Sequence, residues 1–191
     1  MNQPKDRPCL VCVTGLKNSG KTTVCTALIS ELTERGYTVA ALKSSHVSHL
    51  ALDHHSGDSY ALAESGARFV LVQGSEQSLI FERRGRSFQQ MLGRVPENVD
   101  IIVSEGGNAR TADAVVVCLG DPGDWEQTLR VRRVPADRIL AVAGSFTGSH
   151  AAGEATYQGF PVIDAGLARD RKDLVERIEK LCGEAPGNSE G

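Results

Sequence analysis

Residues 15–22 read Gly-Leu-Lys-Asn-Ser-Gly-Lys-Thr, and this stretch decides the fold of the chain. It matches the pattern G-x-x-x-x-G-K-[ST], in which the glycines let the backbone curl so that successive N–H groups point inward at phosphate oxygens. Lys21 is placed to reach the β- and γ-phosphates, and the Thr22 hydroxyl is placed to ligate magnesium. The pattern therefore predicts a binding loop for a nucleoside triphosphate with Mg²⁺.

The segments on either side of this loop support that interpretation. Residues 9–13 are almost entirely apolar, which predicts a strand buried on both faces. Residues 21–35 carry apolar side chains at helical spacing and precede Gly36, a good helix terminator. We expect the N-terminal partial charge of this helix to assist phosphate binding. A strand at residues 37–42 completes a strand–loop–helix–strand unit, the beginning of an α/β fold.

The rest of the chain also alternates between predicted strands and helices. Further strands are predicted at residues 68–72, 79–82, 99–103, 114–119, 139–143 and 161–163, and further helices at 58–65, 85–93 and 170–181. We interpret the whole as one α/β domain of the P-loop NTPase type over residues 1–182, with a doubly wound, mostly parallel sheet and helices on both faces. The polar residues 183–191 predict a disordered tail.

A P-loop also needs a carboxylate at the end of a neighbouring strand, to hold the magnesium shell or to orient a water. The strand predicted at residues 99–103 delivers Glu105 to the carboxyl edge of the sheet, where ligands of open α/β folds bind. Two glycines follow Glu105 and leave room for phosphate. Asp100 begins the same strand on the far edge and is the weaker candidate. The alternative for Glu105 is a solvent-exposed loop carboxylate.

The bulk composition limits the class of protein. A net charge of −3 gives no overall attraction for nucleic acid or an anionic membrane, so neither is expected as a partner. No apolar run approaches the roughly 20 residues that span a bilayer, and the polar N-terminus lacks the features of a signal peptide; we expect a cytoplasmic protein. Five cysteines, an odd number, argue against a disulfide framework. Cys9 and Cys12 are expected to pack in the core on opposite faces of a strand.

Four of the five histidines lie close together, at His46, His49, His54 and His55. Such a segment could be a metal site, a contact for substrate or partner, or simply exposed to solvent, and all three interpretations stay open. Lys43, at the end of the second strand, is either a second cation for phosphate or an ordinary surface lysine. Asp58 begins a predicted helix, where it is either a cap or a further carboxylate facing magnesium.

Taken in order, these features resemble one family. They are GLKNSGKTT after the first strand, LK at the end of the second, a histidine-rich loop, Gly57-Asp58-Ser59-Tyr60 with Glu64-Ser65-Gly66-Ala67, and Val103-Ser104-Glu105-Gly106. Their order is similar to that in MobB, the family of molybdopterin-guanine dinucleotide biosynthesis adapter proteins. The resemblance covers residues 9–107 well and the C-terminal strand and helix more loosely. The chain departs from the family pattern at residues 43–46 and 107–110.

The resemblance implies a protein that binds GTP and Mg²⁺, hydrolyses GTP weakly and forms a homodimer. It implies work beside the molybdenum cofactor guanylyltransferase, which joins GMP to molybdopterin, and beside other enzymes of cofactor maturation. Lys21 and Glu105 would be the catalytic residues, and Thr22, Glu105 and Asp58 would lie at the metal. The nucleotide would be bound by Gly15, Asn18, Ser19, Gly20, Lys21, Thr22 and Thr23. The preference for GTP rests on the resemblance alone, because the chain has no Asn-Lys-x-Asp guanine motif.

Two other functions remain compatible with the residues. A small-molecule kinase or ligase of similar architecture would need an acceptor pocket and would turn over quickly with the right acceptor. A nucleotide-switched metal-delivery protein would use the histidine-rich segment, residues 46–55, as its metal site.

Overall fold

The computed structural model describes residues 7–45, 58–148 and 156–182. Seven of its strands are β1 Cys9–Gly15, β2 Val39–Lys43, β5 Ile101–Glu105, β6 Ala114–Cys118, β7 Ile139–Ala143, β8 Thr156–Tyr157 and β9 Phe160–Ile163. They form one sheet in the order β2-β5-β1-β6-β7-β9-β8, in which only β8 runs antiparallel to its neighbour. The predicted α/β class with a mostly parallel sheet is confirmed.

Five helices accompany these strands in the part of the chain that the structure describes. They are α1 Lys21–Glu34, α2 Asp58–Glu64, α3 Phe88–Leu92, α4 Trp125–Arg132 and α5 Ala168–Cys182. None of them is both long enough and apolar enough to cross a membrane.

The central strand β1 is buried along its whole length, as its apolar sequence predicts. Side chains alternate across the sheet: Val11 and Val13 join the core cluster that contains Leu28 of α1 and Val175 of α5. On this face the two helices cover the sheet, and full burial of each such aliphatic side chain contributes about 1.5–3 kcal/mol. Of the four α5 residues predicted to be buried, Leu174, Val175 and Ile178 are, whereas Leu181, near the end of the helix, is 42% exposed and the prediction for it is wrong.

The register of the parallel strands brings four carboxyl ends together. Val13 of β1 lies opposite Glu105 of β5, which in turn lies opposite Lys43 of β2. On the other side of β1, Gly15 lies opposite Cys118 of β6. The residues that follow β1, β2, β5 and β6 therefore share one edge of the sheet, which is where an open α/β fold binds its ligands.

The chain divides into two compact units. The larger unit comprises residues 1–44 and 92–191 and contains the seven-stranded sheet. The smaller unit, residues 45–91, contains the antiparallel hairpin of β3 Phe69–Gln73 and β4 Ser78–Glu82 together with α2. The expected domain bounds, residues 1–182 with a tail at 183–191, remain a prediction, and the tail lies outside the described residues.

Helix α4 is an element that the sequence pattern does not predict. It follows the predicted turn at residues 120–124, where the Asp121 carboxylate accepts a hydrogen bond from the Gly123 N–H at 2.7 Å and Asp124 supplies the reciprocal half of a capping box. Its sequence, WEQTLRVR, is mostly polar, and only Trp125 and Thr128 are buried. So short a helix has too few apolar positions to show a helical period.

One disulfide corrects the interpretation of the cysteines. Cys9, at the start of β1, is bonded to Cys182, the last residue of α5, with the two Cα atoms 5.7 Å apart. The expectation that Cys9 serves in core packing alone is therefore wrong, although it does lie in the core cluster. The partner was missed because 173 positions of sequence separate the two cysteines and only the packing of α5 over β1 brings them together. Cys12, Cys25 and Cys118 are free and buried.

Candidate phosphate-binding site

The loop between β1 and α1 lines a pocket of about 390 Å³. Its lining residues are Lys17, Asn18, Ser19, Gly20, Lys21, Thr22, Thr23 and Glu105. Every residue predicted to bind nucleotide lies there except Gly15, which begins the loop beneath the pocket. A Cβ at Gly15 would lie 2.2 Å from the Cys118 carbonyl oxygen of β6. Glycine is therefore required at this position because the loop begins in close contact with the neighbouring strand.

The Lys21 ammonium is folded back over the loop. It donates a hydrogen bond to the carbonyl oxygen of Leu16, and its Nζ lies 3.5 Å from the Ser19 hydroxyl. Burial lowers the pKa of Lys21, and the Arg132 guanidinium lowers it further; the thiols of Cys118 and Cys25 and the Glu105 carboxylate act in the opposite direction. A lysine that is partly desolvated and bonded to a carbonyl and a hydroxyl of the loop favours an anionic partner, because a phosphate would restore the stabilisation of its charge.

Thr22 and Glu105 meet on the adjacent side of the pocket. The Thr22 hydroxyl donates to Glu105 Oε2 at 2.9 Å, and Lys43 Nζ lies 3.2 Å from the same oxygen. The contact follows from the sheet register, which sets β2 and β1 on either side of β5. The structure thus brings together the predicted metal residues Thr22 and Glu105 and the candidate cation Lys43, which forms an ion pair with Glu105.

The oxygens of Thr22 and Glu105 are the hard donors that Mg²⁺ prefers. Two protein ligands suit this ion, since Mg²⁺ keeps several waters and takes phosphate oxygens in nucleotide sites. Within the described ranges no group of three or more His, Cys, Asp or Glu residues is arranged to hold a metal ion by itself. Thr22 and Glu105 therefore fit a magnesium ion that arrives with a nucleotide.

Asp58 and the histidine-rich segment are the other candidates for a metal site. Asp58 is the first residue of α2, in the smaller unit, where a carboxylate in the first helical turn stabilises the helix. Its role at magnesium remains a prediction. The histidine-rich segment, residues 46–55, lies outside the described residues.

Three buried thiols lie close to the loop. Burial raises the pKa of Cys12 to about 11 and that of Cys25 to about 12, and it raises the pKa of Cys118 further still. These thiols are protonated at neutral pH, and the thiol form is neither a nucleophile nor a good metal ligand. Their role is to pack beneath the loop.

The loop that follows β7 makes contacts that hold the phosphate loop in place. The Ser145 N–H donates to the Ser19 carbonyl oxygen at 3.3 Å, and the Ser145 hydroxyl donates to that of Asn18 at 3.4 Å. Gly144 makes this approach possible: its φ is +120°, and a Cβ there would lie 2.4 Å from Leu119 O and 2.5 Å from Ser19 O. The sequence pattern did not predict this contact of Ser145 with the phosphate loop. The Gly-Ser pair after β7 is the signal that could have indicated the contact.

Comparisons with known proteins identify a family and agree with the observed fold. The family model described as molybdopterin guanine dinucleotide synthesis protein B matches residues 10–143. The crystal structure of Bacillus subtilis MobB is similar to this chain with a TM-score of 0.67 and 21% identity, covering 92% of this chain and 99% of its own. No curated protein matches the chain in sequence.

Two further crystal structures share the fold. One is titled molybdopterin-guanine biosynthesis protein B, with a TM-score of 0.62 and 24% identity over 92% of this chain and 99% of its own. The other is a MobB protein homolog from Bacillus stearothermophilus, with a TM-score of 0.60 and 18% identity over 90% of this chain and 97% of its own. Because the family model spans well over half of the sequence, the chain belongs to the MobB family, whose role lies in the biosynthesis of molybdopterin guanine dinucleotide.

Proposed function

We propose that this protein is a GTP-binding accessory factor for the synthesis of molybdopterin guanine dinucleotide, with weak, magnesium-dependent GTP hydrolysis. One observation carries the proposal: residues 17–23 of the loop, which include Lys21, and the Thr22–Glu105 pair line the same pocket. Together they supply backbone N–H groups, a cation and hard oxygen ligands, which are the parts that a triphosphate with Mg²⁺ requires.

Each residue has a separate task in this proposal. Lys21 moves from the Leu16 carbonyl to the β- and γ-phosphates and neutralises their charge. Thr22 and Glu105 would hold Mg²⁺, which supplies further positive charge beside the phosphates when it is bound. Glu105 already accepts hydrogen bonds from Thr22 and Lys43. A carboxylate engaged in this way is a poor base for activating water, so we expect slow turnover.

The partners follow from the family. We propose that the protein acts beside the molybdenum cofactor guanylyltransferase and other enzymes of cofactor maturation. Nucleotide binding would then regulate or supply that reaction, and fast turnover is not required. Guanine preference has no sequence motif to support it within the chain and depends on the family role in making a guanine dinucleotide.

A homodimer is the second part of the proposal, and the smaller unit supports it. Directly opposite residues of a hairpin point to the same face, so Val70 and Phe81 share one face, which packs on Ala63 of α2. Leu71 and Ile80 share the other face, and they are 72% and 62% exposed. We call Phe69, Leu71 and Ile80 the hairpin face.

An exposed apolar surface of this kind marks an interaction site. A two-stranded hairpin is also marginally stable alone, and a second hairpin packed against it would supply the missing apolar cover. We propose a second copy of this chain as the occupant, because a symmetric pair of identical apolar faces is self-complementary.

Calorimetric titration of the wild-type protein with GTP and with ATP, each with Mg²⁺ and with EDTA, tests the nucleotide proposal. We expect stoichiometric GTP binding that weakens when magnesium is removed, and weaker binding of ATP. Equal affinity for the two nucleotides would leave the phosphate site in place and remove the guanine preference. Failure of both triphosphates to bind at millimolar concentration would overturn the proposed function.

A further inference from the structure

Arg132 is a half-buried charged residue that lies in line with the buried side of α4. Trp125, Thr128 and Arg132 follow one another at helical spacing on the same side of the helix, and Trp125 and Thr128 are buried. Arg130 and Arg133, its neighbours, are exposed. Arginine is rarely drawn toward a protein interior without a partner that needs its charge or its donors.

The partner of Arg132 is the first residue of the phosphate loop. Its Nε donates to the Gly15 carbonyl oxygen at 2.9 Å, across 117 positions of sequence. The end of α4 fixes the origin of the side chain: Arg133 adopts φ +52°, ψ +47°, and its N–H and that of Val134 both bond to the Leu129 carbonyl, which closes the helix. The guanidinium is therefore directed at the loop by a rigid helix end.

The contact has two physical effects on the loop. It holds the Gly15 carbonyl oxygen toward α4. The N–H groups of the following residues are then free to turn toward an anion in the pocket. It also places a permanent positive charge behind the loop, since a guanidinium stays protonated at every physiological pH. That charge lies within hydrogen-bond distance of the first residue of the loop.

We infer that Arg132 is a positioning residue for phosphate binding, which pins the first peptide of the loop and adds positive potential to the pocket from behind. It touches no phosphate itself; Lys21 and the loop N–H groups do. The inference rests on the proposed binding of a triphosphate at residues 15–23. It assigns a function to α4, a helix that the sequence pattern did not reveal.

The test compares Arg132→Met, Arg132→Lys and the control Arg130→Met, titrated with magnesium GTP and with magnesium tripolyphosphate. Arg130→Met removes the same charge from the exposed side of α4. We expect Arg132→Met to weaken both ligands by the same factor, about tenfold, which is the scale for losing a charge-assisted hydrogen bond. Arg132→Lys should recover most of the affinity, and Arg130→Met should stay within about twofold of the wild type, as expected for a distant surface charge.

Rescue by lysine separates positioning from a merely structural role, and thermal melting of each variant monitors the fold. If Arg132→Met does not fold, Arg132→Gln provides the comparison, because it keeps an N–H donor without the charge; it should bind both ligands several-fold more weakly than the wild type. Wild-type affinity in a folded Arg132→Met or Arg132→Gln variant, or a loss confined to GTP, would overturn the inference. If the wild-type protein binds neither ligand, the proposed function itself fails.

Discussion

The two compact units differ in what they do with their apolar side chains. In the larger unit, apolar residues such as Val11 and Leu28 are buried between the sheet and its helices, and the polar groups of the phosphate loop are concentrated at one sheet edge. In the smaller unit, the hairpin face leaves Leu71 and Ile80 exposed to solvent. In the proposed function this difference corresponds to two tasks: the larger unit binds the nucleotide, and the smaller unit binds a second copy of the chain.

The largest effect is expected at Gly144, where the backbone of the loop after β7 packs closely against the phosphate loop. Gly144→Ala places a Cβ against the backbone of Leu119 and Ser19 and forces a positive φ on alanine. We expect a loss of about 4 kcal/mol in the free energy of unfolding, measured by urea titration, together with weakened GTP binding. Gly36→Ala is the matched control: its φ is +88°, but nothing lies within 4 Å of the added Cβ, so its cost should be about 1 kcal/mol. Equal losses of unfolding free energy in the two variants would show that close packing of Gly144 against Leu119 and Ser19 is not the cause of the destabilisation.

The disulfide should stabilise the larger unit by a somewhat smaller amount. Cys182→Ser releases the end of α5 from the start of β1, and we expect it to lower the free energy of unfolding by about 3 kcal/mol without reductant. Adding dithiothreitol should bring the wild type to the level of the variant and leave the variant unchanged. A direct assay is the thiol count after denaturation without reductant. The expected result is three thiols, from Cys12, Cys25 and Cys118; five would contradict the bond.

Much of the larger unit could be predicted because its signals are contiguous. The loop motif, the apolar run of β1 and the position of Glu105 at the end of β5 are each predicted from adjacent residues. Arg132, Gly144 and the bond between Cys9 and Cys182 could not be predicted in the same way. Arg132 and Gly15 are 117 positions apart, Cys9 and Cys182 are 173 apart, and Gly144 packs against Ser19 of the phosphate loop. Helix packing and strand order set these contacts, and no local period encodes them.

The smaller unit was predicted less completely for a related reason. Its two strands were predicted at residues 68–72 and 79–82 and are observed at Phe69–Gln73 and Ser78–Glu82, so no bound differs by more than one residue. Their separation from the main sheet was not expected, because alternating apolar residues predict a strand without stating which strand it pairs with. The exposure of Leu71 and Ile80 is visible only once the antiparallel register is known.

After the disulfide, the next largest effect is expected from a substitution in the smaller unit. Leu71→Asp places a charge on the hairpin face, and we expect the dissociation constant of the dimer to rise about thirtyfold, the scale of losing an interface hot spot of about 2 kcal/mol. Sedimentation across a range of protein concentrations measures it. Leu167→Asp makes the same change at an exposed leucine of the larger unit and should leave association unchanged. A wild-type protein that is monomeric at all concentrations would remove the proposed dimer.

The smallest effect concerns the hydroxyl of Thr22. Thr22→Val keeps the shape of the side chain and removes the oxygen that bonds to Glu105. We expect affinity for magnesium GTP to fall about tenfold while affinity measured in EDTA changes little, because only the metal-dependent part is lost. Thr22→Ser, which restores the hydroxyl, should show the same ratio of GTP affinities with magnesium and in EDTA as the wild type. An equal loss with and without magnesium would indicate that Thr22 does not act through the metal.

The central claim is that phosphate is bound by the loop of the larger unit, and Lys21→Ala tests it most directly. Magnesium GTP is titrated into this variant and into Lys172→Ala, which removes an equivalent charge from an exposed site on α5. We predict that Lys21→Ala sediments as the wild type does but loses at least about a hundredfold in GTP affinity, while Lys172→Ala binds normally. Retained tight binding by a folded Lys21→Ala protein would contradict the account, because the triphosphate would then be bound elsewhere.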